Sequence, residues 1–102
     1  MLRFSSPMKY RFENPSELLE QISKAILQKS RISFAYDSAS LKTRHLEPYR
    51  IVFWNSYWYL IGMDIDRKAI RLFKLSRFQG SVEISKKKNG FNIPTDFDVS
   101  QH

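Results

Sequence analysis

The chain contains no cysteine, which removes disulfides, thiolate zinc sites and cysteine nucleophiles together. Its only glycines are Gly62, Gly80 and Gly90, so neither a dinucleotide-binding fingerprint nor a phosphate loop can be written. Its only histidines are His45 and the terminal His102, and no G-x-S-x-G sequence offers a nucleophile for a triad. His45 and Glu47 could share a strand face, but no third ligand accompanies them, so neither a metal nor another cofactor is expected. A hydrolase or nuclease built on His45 with Glu47 or Asp64 is the competing enzymatic class; the expectation is a protein without catalysis. No run approaches the ~20 apolar residues of a membrane span, and the N-terminus has no apolar stretch of the secretory kind. A cytoplasmic protein that does not engage membranes is expected.

What is present is a single domain's worth of chain. The 102 residues are 42% hydrophobic and 26% charged, ordinary globular proportions that exclude general disorder. Two quantities are less ordinary: aromatics reach 15%, and the net charge is +7. Basic charge with surplus aromatic surface suits an anionic, flat partner such as a nucleic acid or nucleotide. The charge is also localised. Residues 67–88 carry eight lysines and arginines against Glu83 alone, and so hold a balance equal to that of the whole chain.

The hydrophobic period divides the chain. Residues 1–14 show no clean period and read as a lead-in or linker. Asn14, Pro15 and Glu17 form the signature of a helix start, and Leu18, Leu19, Ile22, Ala25 and Ile26 recur at helical spacing, which predicts an amphipathic helix to about Lys29. The period then changes to two. Ile32, Phe34 and Tyr36 mark a first strand. A second, from about Lys42 to Phe53, places Thr43, His45, Glu47, Tyr49, Ile51 and Phe53 on one face, with a bulge or edge required at Pro48. Asn55-Ser56 makes a turn into Tyr57–Met63, which is apolar on both faces and predicts a central, doubly covered strand. Ala69–Leu75 and Ser81–Ser85 complete the set. One helix and four or five short strands predict a mainly β protein, a small β-barrel with one N-terminal helix packed on it.

Trp58-Tyr59-Leu60, just after the Asn55-Ser56 turn, is the tripeptide that names the WYL domain. The chain resembles that family on both sides of it: a helix, a strand ending in Tyr36 and Arg44 four residues before Pro48 lie upstream, and Ile70-Arg71-Leu72-Phe73 followed by Arg77 lies downstream. The resemblance covers residues 15–97 and leaves 98–102 as a tail. It implies an Sm-like, SH3-type barrel. It also implies a ligand-sensing regulatory module of bacterial transcription factors and phage-defence systems, with single-stranded nucleic acid or a nucleotide-like anion as effector. Family members usually carry a helix-turn-helix DNA-binding domain ahead of this module, which does not fit in these 102 residues.

Arginine suits phosphate because its planar fork binds two oxygens and never loses charge. Arg71 alternates with Ile70 and Leu72 and lies beside Phe73, Arg77 follows at a chain reversal, and Arg44 stands on the neighbouring region. With the family pattern, these three predict one anion site, with Tyr36, His45 and Tyr49 at its margin and Lys74 nearby. The alternative for the arginines is salt bridging to Glu47, Asp64 or Asp66. Trp58 and Tyr59 point to opposite faces, so one must be covered by the helix or left outward to stack on a base or partner. Lys86-Lys87-Lys88 reads as a solvated turn. A homodimer is a possible assembly, and a protein-interaction or dimerisation module without a nucleic-acid ligand is the alternative function.

Overall fold

Leu18, Ile22 and Ala25 form the buried stripe of the helix α1 (Pro15–Gln28) in the computed structural model, which describes residues 15–95. The expected cap at Asn14, the lead-in 1–14 and the tail 98–102 lie outside the described residues. The helix stops one residue earlier than its period suggests, because Lys29 turns left-handed at φ 53°. Its amide bonds Ile26 O and that of Ser30 bonds Ala25 O, the paired closure that satisfies the last free carbonyls of a helix. This end is held again from outside: Ser30 Oγ donates to Lys87 O, and the amides of Asn89 and Gly90 donate to Gln28 O and Lys29 O.

Five strands follow: β1 (Ile32–Asp37), β2 (Leu41–Trp54), β3 (Tyr57–Asp64), β4 (Ala69–Lys74) and β5 (Phe78–Ile84), with a 3₁₀ turn over Leu75–Arg77 between the last two. All neighbours are antiparallel, in the order β4-β3-β2-β1-β5. The long β2 serves both halves, pairing β1 through Leu41–Leu46 and β3 through Leu46–Trp54. The result is the mainly β architecture expected, a small barrel-like sheet with one N-terminal helix. β5 is longer than its pattern suggested, starting at Phe78, and Leu75 belongs to the 3₁₀ turn instead of β4.

The inner face is aromatic. Phe34 stacks on Phe78 at 4.1 Å, and Phe73 meets Phe34 and Tyr36 edge-on at 5.4 and 5.0 Å. The helix stripe packs on this core with Ile32, Leu46 and Leu60. A second, smaller core lies on the outer face, where Tyr49 and Ile61 are covered by Phe91 and Ile93 of the segment after β5. Edge-on and stacked rings of this kind add about 0.5–1.5 kcal/mol per pair beyond the area they bury.

One expectation about β2 fails for an identifiable reason. The ladder to β3 shifts register between Pro48 and Arg50, so a bulge sits where Pro48 required one. The bulge inverts the alternation. Arg44, Leu46 and Pro48 face inward before it, and Ile51 and Phe53 face inward after it, opposite Leu60 and Trp58. Thr43, His45, Glu47 and Tyr49 are left on the outer face. Gly62 lies opposite Pro48, and a Cβ there would fall well inside contact distance of the Glu47 carbonyl oxygen, so this approach of β2 to β3 admits only glycine.

Candidate functional site

Arg44 is the least ordinary residue of the inner face. It stands opposite Phe34 on β1, is only 9% exposed, and lays its guanidinium carbon 5.8 Å from the Tyr36 ring and 6.0 Å from the Phe73 ring. Arginine over aromatic faces at this range is attracted by the ring quadrupoles. Its Nε is buried and has no hydrogen-bond partner among the described residues. Tyr36 is fixed in turn, because its hydroxyl accepts the Lys74 amide at 2.9 Å.

Arg71 pairs with Gly62 on β4, two residues before Phe73 and on the same face, so it too belongs to the inner side. Burying a charge costs free energy unless something compensates it. Of the three carboxylates that could pair with the arginines, two are otherwise engaged and Asp64 is engaged on one oxygen only, its buried Oδ2 having no hydrogen-bond partner among the described residues. Glu47 takes Arg31 at 2.9 Å, Asp66 takes His45 at 2.9 Å, and Asp64 Oδ1 accepts the Arg67 amide at 3.2 Å. Arg44, Arg71 and Arg77 make no ion pair with any described residue. Arg77 ends the 3₁₀ turn, is exposed, and lies on an element that packs against β3.

The expected margin divides in two. Tyr36 lies beside Arg44 on the inner face. His45 and Tyr49 do not, because β2 turns them to the outer face. His45 lies beside a groove of about 240 Å³ lined also by Arg31, Ser33, Glu83 and Ser85, which includes none of the three arginines. Tyr49 is 6% exposed beneath Phe91. Burial, then the charge of Glu47 and a hydrogen bond to its carboxylate, push the Tyr49 phenol above the usual tyrosine value. Lys74 also faces outward, with Nζ 3.7 Å from the centre of the Tyr57 ring. The alternation pattern had a signal for one residue it left out, Phe73, which shares the parity of Arg71 and is the second ring under Arg44.

Trp58 and Tyr59 do point to opposite faces, but neither is taken into the core: Trp58 is 42% exposed and Tyr59 half-buried. Leu60 belongs to the core that the helix stripe joins, and Trp58 does not. Lys86, Lys87 and Lys88 are all exposed. No helix among the described residues is long and apolar enough to cross a membrane, and these residues hold no group of three or more potential metal ligands.

With this geometry in place, the likenesses to known proteins become informative. A family model described as the WYL domain matches residues 17–83. Protein PafB of Mycobacterium leprae is 30% identical over 86 residues, covering 81% of this chain and 26% of its own length. Protein PafB of Mycobacterium bovis is 36% identical over 56 residues, 55% of this chain and 17% of that protein. Among solved structures, the proteasome accessory factor B/C (PafBC) of Arthrobacter aurescens superposes with a TM-score of 0.78 at 26% identity, over 93% of this chain and 15% of that one. The chain thus spans about a quarter or less of the length of these relatives.

Proposed function

The chain belongs to the WYL domain family, and on that premise we propose that it is the sensing domain of a bacterial transcription regulator, binding a single-stranded nucleic acid or nucleotide-like anion through Arg44, Arg71 and Arg77. The observation that carries this reading is the buried Arg44, held over two rings with no ion pair to a described residue and an Nε that has no partner among them. Arg71 on the same face and Arg77 on the adjoining turn add charge of the same sign. Like charges that share one site repel, and an anion bound between them would relieve the repulsion while supplying oxygens for the guanidinium forks. Tyr36, braced by the Lys74 amide, gives that anion a rigid wall.

The module performs no catalysis in this reading; it changes the state of a larger regulator. A helix-turn-helix DNA-binding domain in the full-length cytoplasmic protein would read the change, since the relatives are several times longer than this chain. His45 and Tyr49, on the far face, would contribute only by holding β2 in place.

The reading is tested with a fluorescently labelled oligothymidylate, its anisotropy followed against the 102-residue chain at low salt. Arg71→Ala weakens binding several-fold or more with an unchanged circular dichroism spectrum, and Lys87→Ala weakens it less. Equal binding by the parent and Arg71→Ala, or none by the parent, refutes it.

A further inference from the structure

The tip of the β2–β3 hairpin is built for contact, and no packing among the described residues accounts for it. Trp54 pairs with Tyr57 across a two-residue turn in which Asn55 and Ser56 both have positive φ, 53° and 71°. The β3–β4 ladder ends at Tyr59–Lys74, so Tyr57 and Trp58 project past β4, and among the described residues β2 is their only strand neighbour. Four large rings are consequently left outside: Phe53 59%, Trp54 65%, Tyr57 48% and Trp58 42% exposed. They are arranged on both sides of the ribbon. Phe53 rests on Trp58 at 4.8 Å on the side continuous with Arg71 and Phe73, and Trp54 lies 6.3 Å from Tyr59 on the other.

A contiguous exposed aromatic patch marks an interaction surface, and its charge identifies the partner. Residues 48–63, which include the whole tip, contain no aspartate or glutamate, and neither do residues 69–82, which supply the neighbouring β4 and 3₁₀ turn. Those segments carry Arg71, Lys74 and Arg77, and Lys74 is already poised over the Tyr57 ring. Rings that offer flat faces, with cations and no carboxylates around them, match a strand of bases on a phosphate backbone. A protein surface would ask for hydrogen-bond complementarity instead, and an apolar one would not need the cations.

We infer that the hairpin tip is a base-stacking platform, with Trp58 and Phe53 taking a base on the side continuous with Arg71 and Trp54 with Tyr57 a further one where the strand passes round the end of the ribbon, so that a single strand runs from the arginine site onto the tip. The inference rests on the nucleic-acid reading of the arginine site and extends it from a phosphate-sized site to one several nucleotides long. On β3 the Cα of Trp58 lies four residues from Gly62, the partner of Arg71, about 13 Å away at strand spacing, about two nucleotide steps of an extended strand.

The chain supplies its own reporter, because Trp54 and Trp58 are its only tryptophans and both lie on the tip. Unlabelled oligothymidylate is titrated into the parent while tryptophan emission is followed, and labelled oligothymidylate is followed in parallel by anisotropy. The expected result is emission quenched in step with the anisotropy rise, about five-fold or more weaker binding in Trp58→Ala and in Trp54→Ala, and near-parent affinity in Trp58→Phe, which keeps a stacking face. Salt-sensitive, Arg71-dependent binding with unchanged tryptophan emission and parent-like affinity in both alanine variants overturns this inference and leaves the arginine site standing. Absence of oligothymidylate binding overturns both. A parent that sediments as a dimer, and loses the dimer with Trp54→Ala, overturns the platform as well, since the tip is then covered by a second copy.

Discussion

Arg44 should stabilise the protein less than an uncharged side chain of the same length would. The residue is nine-tenths buried, with no ion pair to a described residue and a buried Nε that has no hydrogen-bond partner among them. A buried polar group without a partner costs about 1–3 kcal/mol. The two ring contacts, at 5.8 and 6.0 Å, return about 0.5–1 kcal/mol each. In Arg44→Met the thioether keeps the stem packing as far as the Nε position and replaces the guanidinium contacts by a sulfur contact to the rings, and the desolvation cost disappears. The balance is a gain of about 1 kcal/mol, or about 4–8 °C in melting temperature for a domain of this size. Arg44→Ala lacks the stem and so forfeits the packing. Thermal unfolding followed by circular dichroism, with oligothymidylate anisotropy on the same samples, reads both consequences: Arg44→Met melts higher and binds several-fold more weakly. If Arg44→Met melts lower by several degrees and binds like the parent, Arg44 is a structural residue and the argument from its burial is wrong.

Other consequences follow from the geometry. Gly62→Ala forces β3 from the Glu47 carbonyl and should cost about 1–3 kcal/mol, as overpacking does, measured by urea denaturation. Glu47→Gln removes the partner of the half-exposed Arg31 and should cost only about 0.5 kcal/mol; the same change returns the Tyr49 phenol toward its ordinary value, visible in an ultraviolet titration of tyrosine. Because the folded-state pKa of Tyr49 lies above its unfolded value, its contribution is complete below the ordinary tyrosine range and is lost as pH rises through the folded pKa. Alkaline unfolding should thus shift less steeply with pH in Tyr49→Phe. Phe73→Ala removes a ring shared by Phe34, Tyr36 and Arg44 and should cost about 3–5 kcal/mol.

Most of the fold was legible because its signals are local. The apolar stripe of α1, the alternation of Ile32, Phe34 and Tyr36, and the Asn55-Ser56 turn each follow from residues a few positions apart. Pro48 announced a bulge. It could not announce the consequence, since a one-residue insertion reverses every later side chain and its position within the pair depends on β3. That reversal is why Ile51 and Phe53 parted from Thr43, His45, Glu47 and Tyr49. The candidate residues divide in the same way: Arg44, Arg71 and Tyr36 follow simple parity to the inner face, whereas His45 and Tyr49, one position out of phase, lie on the outer one. The tip was the least legible part. An apolar run such as Tyr57–Met63 implies cover on both faces, and only the length of β4 shows that this cover ends at Tyr59.

The arginine site is tested most directly by the salt dependence of binding. For a single strand, the logarithm of the binding constant falls with the logarithm of salt concentration by about 0.7 per phosphate neutralised. If Arg44, Arg71 and Arg77 each meet one phosphate, the parent gives a slope near −2 from titrations of labelled oligothymidylate between low and physiological salt, by the same rule. Arg71→Ala should make that slope shallower by about 0.7, and Lys87→Ala should leave it nearly unchanged. A slope near zero, or one that Arg71→Ala does not alter, would contradict the proposal that these arginines hold the backbone of a nucleic acid.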